Sequence, residues 1–186
     1  MDPYLFVDQT TCRSSVDGSD DIYLIIFRGS TEAPFSSSMS VVHPSAFSDF
    51  DDGESRGNDI QLARYFDNRV YVVALVERDA DNDFLDNNGR ALELMRAQSG
   101  LAWVTNMGGL VLSGSARPSA AQRERAAEVV ATAINGVIGL TTTWPVGDDD
   151  AIGGARYLRI TPGQEPTLRF REDGGDYSIR FKIKSH

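Results

Sequence analysis

The chain has 186 residues, 41% of them hydrophobic, which is enough apolar material for one domain with its own core. Its net charge is −9 and it has no basic stripe, which argues against a nucleic-acid partner. One cysteine, Cys12, and two histidines, His43 and His186, are too few for an internal disulfide framework or a zinc site with Cys and His ligands.

The N-terminal sequence does not resemble a targeting segment. The first residues lack the basic and apolar regions of a secretory signal, and no apolar run reaches the ~18 residues of a membrane span. We therefore expect a soluble protein, in a compartment that the sequence does not identify. Cys12 is interpreted as a small buried apolar residue.

The net negative charge comes from the first half of the chain. Residues 1–89 carry 17 acidic and 6 basic side chains, a net charge of −11, whereas residues 90–186 carry 10 acidic and 12 basic ones, a net charge of +2. The acidic side chains cluster in turns between apolar runs, so the loops of the first half are where charge chemistry is expected.

Apolar and alternating patterns predict seven to eight strands. The run at 70–76 is apolar throughout, which is typical of a strand in the middle of its sheet. Residues 167–171 and 177–183 alternate on either side of a Gly-rich turn and predict a hairpin. The Ser-rich residues 29–40 are predicted as a loop. The other predicted strands lie at 4–13, 22–27, 41–44 (at most a short edge strand), 59–66 and 157–160.

The period of the pattern changes after Gly89. Leu92, Met95 and Leu101 follow an approximate helical spacing, which predicts a helix near 90–106. The Arg-Pro-Ser sequence at 117–119 is a start signal for a second helix over 122–134. The predicted fold is α+β and mainly β: one domain, residues 1–186, built as an antiparallel β-sandwich with a two-helix insertion near residues 90–140.

Residues 77–89 (Glu-Arg-Asp-Ala-Asp-Asn-Asp-Phe-Leu-Asp-Asn-Asn-Gly) follow the central strand directly. Carboxylates two residues apart repel one another unless a hard cation lies among them, and calcium prefers such oxygen ligands. An EF-hand does not fit, because Phe84 stands where the turn glycine is required and Arg90 where the bidentate glutamate is required. Magnesium fits less well than calcium, since it retains water and recruits fewer carboxylates. A solvated acidic turn is the simpler alternative.

Two of the acidic segments resemble the calcium loops of C2 domains. Residues 17–23 (Asp-Gly-Ser-Asp-Asp-Ile-Tyr) are similar to the first loop of that family, with Asp21 in place of a proline, and residues 77–83 are similar to its third loop. Residues 148–153 (Asp-Asp-Asp-Ala-Ile-Gly) are similar to the ending of that loop but lie beyond the helical insertion. The resemblance implies a C2-like sandwich with calcium as its cofactor and these ligands: Asp17, Asp20, Asp21, Glu77, Asp79, Asp81, Asp83, Asp86, Asp148 and Asp149.

Alternatives remain for single residues. Asp-Gly-Ser is also ordinary turn chemistry, and Asp20 is a candidate cap for the strand backbone. A further acidic turn contains Asp51 and Asp52. A nucleophilic catalytic system would depend on His43 alone, and no carboxylate pair has an evident sugar platform, so we do not expect an enzyme.

Three functions are compatible with this pattern. The first is a noncatalytic calcium-binding module whose metal-loaded loops contact a membrane or a protein partner. The second is a toxin or pore-type protein whose helical insert, with glycine-containing apolar runs at 108–112 and 134–140, engages membranes. The third is a structural domain that calcium stabilises.

Overall fold

The computed structural model describes residues 2–16, 18–42, 47–78, 89–112, 117–141, 151–172 and 174–185. They form nine strands and two helices. The strands are β1 (Pro3–Ser14), β2 (Ser19–Ser30), β3 (Ser37–Val42), β4 (Phe50–Asp51), β5 (Ser55–Arg64), β6 (Arg69–Arg78), β7 (Arg156–Leu158), β8 (Thr167–Glu172) and β9 (Gly175–Ser185), and the helices are α1 (Gly89–Leu112) and α2 (Ala120–Thr141).

The strands pair into two antiparallel sheets. The first sheet has the order β5-β1-β9-β8, and the second has the order β3-β2-β6-β7 with the short β4 paired to the start of β2. The mainly β, α+β fold class is therefore confirmed, with one more strand than the seven to eight predicted. The additional element is β4, which has only two residues and no apolar periodicity from which to predict it.

One apolar core lies between the two sheets. Alternate residues of β1 and β9 from the first sheet meet alternate residues of β2 and β6 from the second, because successive side chains of a strand point to opposite faces. Cys12 is a buried member of this core, as predicted, and burial raises the pKa of its thiol. Other fully buried members of the core are Leu5, Leu24, Val73, Phe170, Ile179 and Phe181.

A second apolar core lies on the other face of the second sheet, which α1 and α2 cover. Tyr23 and Phe27 of β2 and Val72 of β6 pack there against Trp103 of α1 and Val130 of α2. Strands β2 and β6 are thus buried on both faces, which explains why residues 70–76 show no polar alternation. The prediction that this run is central to its sheet is confirmed.

Helix α1 approaches β2 closely at Gly29. A Cβ atom at this position would lie 2.4 Å from Trp103 Cε2, so only glycine leaves room for the indole ring. The ring is fully buried, packs edge-on to Phe27 with centroids 6.1 Å apart, and its Nε1 donates a hydrogen bond to the Ser30 carbonyl at 3.0 Å. This contact fixes the helical layer on the sheet.

The helical insertion is confirmed, but both helices are longer than predicted. α1 continues through Gly108 and Gly109 to Leu112, and α2 continues through Gly136 to Thr141. Their buried faces, which include Met107, Ile134 and Val137, gain more from packing on the sheet than the helix loses at its glycines. Within the described residues, neither helix combines the length and apolar character needed to cross a bilayer.

The hairpin prediction is confirmed by the pairing of β8 with β9. The loop prediction for residues 29–40 is wrong at both ends, because β2 extends through Ser30 and β3 begins at Ser37. β3 pairs with β2 at the sheet edge, and Met39 is buried beneath the helical layer despite its serine neighbours. Residues 43–46, which include His43 and Pro44, lie outside the described residues.

Candidate functional site

Strand pairing brings the described flanks of the acidic segments to one end of the second sheet. Because β2 and β6 are antiparallel, the start of β2 lies beside the end of β6, with Asp21 opposite Arg78 and Ile22 opposite Glu77. The segment that begins at Ala151 joins the same place, since Ala151 bridges Val76 and the Ile152 amide donates to the Leu75 carbonyl at 3.0 Å. We call this region the acidic end.

A fourth acidic segment adjoins the acidic end through β4. Ser19 pairs with Asp51 and Asp20 pairs with Phe50. The turn after β4 holds the chain before β2, because the Ser15 amide and hydroxyl donate to Asp52 Oδ1 at 2.6 and 2.8 Å. These two hydrogen bonds, the one from the amide first, lower the pKa of the Asp52 carboxyl.

Asp20 is the most deeply placed of the predicted ligands that the structure describes. Its side chain is fully buried, and both carboxylate oxygens accept the Val16 amide, at 3.0 Å for Oδ1 and 2.8 Å for Oδ2. Oδ2 also accepts the Tyr177 hydroxyl at 2.6 Å. These bonds fit the alternative in which Asp20 caps the strand backbone, because the carboxylate holds the backbone that turns into β2.

Tyr177 supports Asp20 from the opposite sheet. Burial raises the pKa of the Tyr177 hydroxyl, and the hydrogen bond to the Asp20 carboxylate raises it further. Tyr177 therefore remains a neutral donor at neutral pH. The sequence does not predict a role for Tyr177 or Ser15. Tyr177 lies far along the chain from Asp20, and Ser15 lies in an ordinary turn, so only the folded structure brings them to this region.

Glu77 is a second buried carboxylate at the acidic end, with an exposed fraction of 4%. It lies opposite Ile22, a member of the core between the sheets, and alternates with Leu75 and Val73 of the same core. Asp20 lies two residues before Ile22 and therefore on this same inward face. Two carboxylates are thus placed on one face of neighbouring strands, at the diagonal spacing of roughly 7–8 Å between backbone positions.

Asp21 is half-buried and faces the other way from Asp20. Its Oδ1 accepts the Asp49 amide at 2.9 Å, which ties the start of β2 to the turn before β4. Hydrogen bonds from backbone amides to carboxylates therefore hold much of the described part of the site, and such bonds fix the positions of negative oxygens.

The predicted ligands divide into two groups. Asp20, Asp21 and Glu77 are described and lie together at the acidic end. Seven others lie outside the described residues: Asp17, Asp79, Asp81, Asp83, Asp86, Asp148 and Asp149. Among the described residues alone, no group of three or more His, Cys, Asp or Glu side chains has an arrangement that could hold a metal ion.

The chemistry that the acidic end offers is that of carboxylate oxygens. Carboxylates that come from separate segments accept hydrogen bonds from amides or coordinate a hard cation such as calcium. The chain matches no protein-family model, no curated protein and no solved structure at a significant level.

Proposed function

We propose that the protein is a noncatalytic calcium-binding module with a C2-like β-sandwich architecture, whose metal-loaded loops contact a membrane or a protein partner. The observation that carries the proposal is the register of β2 and β6 together with the Val76–Ala151 bridge. These pairings bring the flanks of three acidic segments, separated by up to about 130 residues, to one end of one sheet.

The sandwich architecture is supported by the apolar core that both sheets share. In such an arrangement the loops at one end of the sheets can supply oxygen ligands from several segments, and calcium takes six to eight of them. The resemblance to C2 calcium loops involves residues 17–21, 77–86 and 148–149. The described residues next to these segments are the strand ends that meet at the acidic end.

Electrostatics make the proposed partner contact depend on calcium. The acidic half of the chain is repelled by anionic lipid headgroups, whereas bound calcium compensates the carboxylates and bridges them to phosphate or carboxylate groups on a membrane. The metal would thus act as a switch for binding rather than as a reagent.

Vesicle co-sedimentation tests this function. We expect the protein to pellet with vesicles of phosphatidylcholine and phosphatidylserine in calcium, and to remain in the supernatant with a chelator or with phosphatidylcholine alone. Equal pelleting in calcium and in chelator would contradict calcium-dependent contact. Calcium binding without pelleting would favour a protein partner over a membrane.

A structural role for calcium is the second candidate, and the bonds of Asp20 favour it. The Asp20 carboxylate already holds the Val16 backbone and Tyr177 together, so a cation beside it would stabilise the junction of the two sheets. A ligand that binds only the folded state adds about 2.7 kcal/mol at 100 times its Kd. A rise in melting temperature with calcium, in the absence of any vesicle or protein binding, would favour this candidate.

A further inference from the structure

A cavity of about 630 Å³ lies at the end of β6 opposite to the acidic end. Its walls come from the start of β6, residues 157–161 beside it, the turn at 65–67 and the first turn of α2. Arg69 and Glu77 are eight residues apart along β6, which corresponds to roughly 26 Å of extended strand. The cavity is therefore distinct from the proposed calcium site, and its volume is in the usual range for small-molecule pockets.

Three tyrosines give the cavity aromatic walls. The rings of Tyr65 and Tyr71 stack with centroids 5.9 Å apart and planes 14° from parallel. The Tyr71 hydroxyl accepts the Phe66 amide at 3.0 Å, which fixes that ring, and Tyr157 lies on the neighbouring strand. Burial raises the pKa of all three hydroxyls, so these side chains are neutral at neutral pH. Tyr65 and Tyr71 are almost fully buried, whereas Tyr157 is half-buried and is the ring that a ligand can contact.

Three arginines and two carboxylates line the same cavity. Arg159 forms an ion pair with Glu124, but among the described residues no carboxylate lies within ion-pair distance of Arg69 or Arg123. Arg123 lines the cavity together with Tyr65 and Tyr157. Positive charge without an ion-pair partner thus lies beside the aromatic walls.

A third arginine outside any described ion pair, Arg28, lies on β2, the strand next to Arg69. Arg28 is opposite Tyr71 in the strand register, and its Nε is buried without a hydrogen-bond partner in the described part of the chain. Burial, and then repulsion from Arg69, lower the pKa of the Arg28 guanidinium. An anion near Arg69 would offset the repulsion between these two guanidiniums, because opposite charge stabilises both.

Helix α2 adds to the positive potential. It begins at Ala120, and a capping box satisfies its first turn, in which the Gln122 amide donates to Ser119 Oγ and the Ser119 amide donates to the Gln122 side chain. Ala120 and Ala121 line the cavity, so the positive end of the helix dipole lies beside it.

We propose that this cavity binds a small aromatic anion, with its ring against Tyr157 and its carboxylate, sulfonate or phosphate group held by Arg69 and Arg123. Guanidinium groups bind such groups through paired hydrogen bonds, and they also stack on aromatic rings. The proposal does not depend on calcium.

A fluorescent pair of probes tests the proposal in the full chain. Anilinonaphthalene sulfonate is an aromatic anion, and phenylnaphthylamine has the same aromatic frame without the sulfonate. We expect saturable binding of the sulfonate, weaker binding of the neutral analogue, and the same affinity in calcium and in chelator. Binding of both probes with equal affinity would overturn the role of the arginines.

Arg123→Gln and Arg125→Gln are the matched variants. Both remove one positive charge from α2, but Arg125 is exposed and does not line the cavity. We expect Arg123→Gln to weaken sulfonate binding by about tenfold or more, as for the loss of one hydrogen bond to a charged group, and Arg125→Gln to leave it unchanged. Circular dichroism confirms that each variant is folded. No change in Arg123→Gln, or an equal loss in both variants, would overturn the proposal.

Discussion

The Tyr177 hydroxyl of β9 donates to the Asp20 carboxylate of β2 at 2.6 Å, and this bond joins the two sheets at the acidic end. Tyr177 and Asp20 are 157 residues apart in the chain. The bond therefore links the turn that enters β2 to the last strand of the other sheet. The bond thus holds the acidic end to both sheets.

Replacing Tyr177 with phenylalanine tests the contribution of this bond. The variant keeps the ring in the core but removes a donor from a buried carboxylate, so we expect a loss of about 1.5–3 kcal/mol in the free energy of unfolding. Urea unfolding followed by circular dichroism measures it. Tyr157→Phe is the control, because the Tyr157 hydroxyl has no hydrogen bond among the described residues. Equal stability of the two variants would contradict the role assigned to Tyr177.

Gly29→Ala tests the contact between α1 and β2. The added methyl would lie 2.4 Å from Trp103 Cε2, so the helix must shift, and overpacking of this kind costs about 1–3 kcal/mol. Gly108→Ala is the matched control, since a Cβ there meets nothing within 4 Å and alanine is favoured inside a helix by about 0.5–1 kcal/mol. Chemical unfolding should therefore show opposite signs for the two changes. A neutral Gly29→Ala variant would contradict the close approach.

Much of the fold could be predicted from the sequence because its patterns are local. The alternation in β8 and β9, the apolar run of β6 and the helical spacing after Gly89 each depend on near neighbours in the chain. β3 is only partly evident in the sequence. Residues 41 and 42 belong to the predicted short edge strand, whereas residues 37–40 are a strand because they pair with β2 and bury Met39. The predicted α1 is too short because tertiary packing overrides the cost of Gly108 and Gly109.

The sites are less predictable than the fold. Local acidity identifies Asp20, Asp21 and Glu77, which the register of β2 and β6 then brings to the same end of a sheet. The partner of Asp20, Tyr177, carries no such signal. The aromatic cavity has none either, because its walls belong to three distant segments, and no residue of it forms a motif with its neighbours in the chain.

The acid sensitivity of the fold should depend on Asp8. Its carboxylate accepts hydrogen bonds from Lys182 and from Arg180 Nε, the latter at 2.6 Å, and the bond from Lys182 contributes most to lowering the pKa of Asp8 below its ordinary value. A carboxyl whose pKa is lower in the folded state adds stability above its unfolded pKa, and this stability is lost as the pH falls through the folded pKa.

Asp8→Asn should therefore be less stable than the parent near pH 6, and the difference should shrink as the pH falls from about 4 toward about 2. Urea midpoints across this range measure the effect. Glu128→Gln makes the same chemical change on the exposed face of α2 and gives the baseline for a loss of one charge. A difference between Asp8→Asn and the parent that is constant with pH would contradict the ion-pair explanation.

Calcium titration by isothermal calorimetry tests the central claim most directly, on the parent protein, an Asp79→Ala plus Asp81→Ala variant, and Glu128→Gln as a control for lost negative charge. Calcium coordination by the acidic loops predicts a saturable heat in the parent that a chelator abolishes, its loss in the double variant and its retention in Glu128→Gln. The absence of heat in the parent at millimolar calcium, or an unchanged heat in the double variant, would contradict the claim.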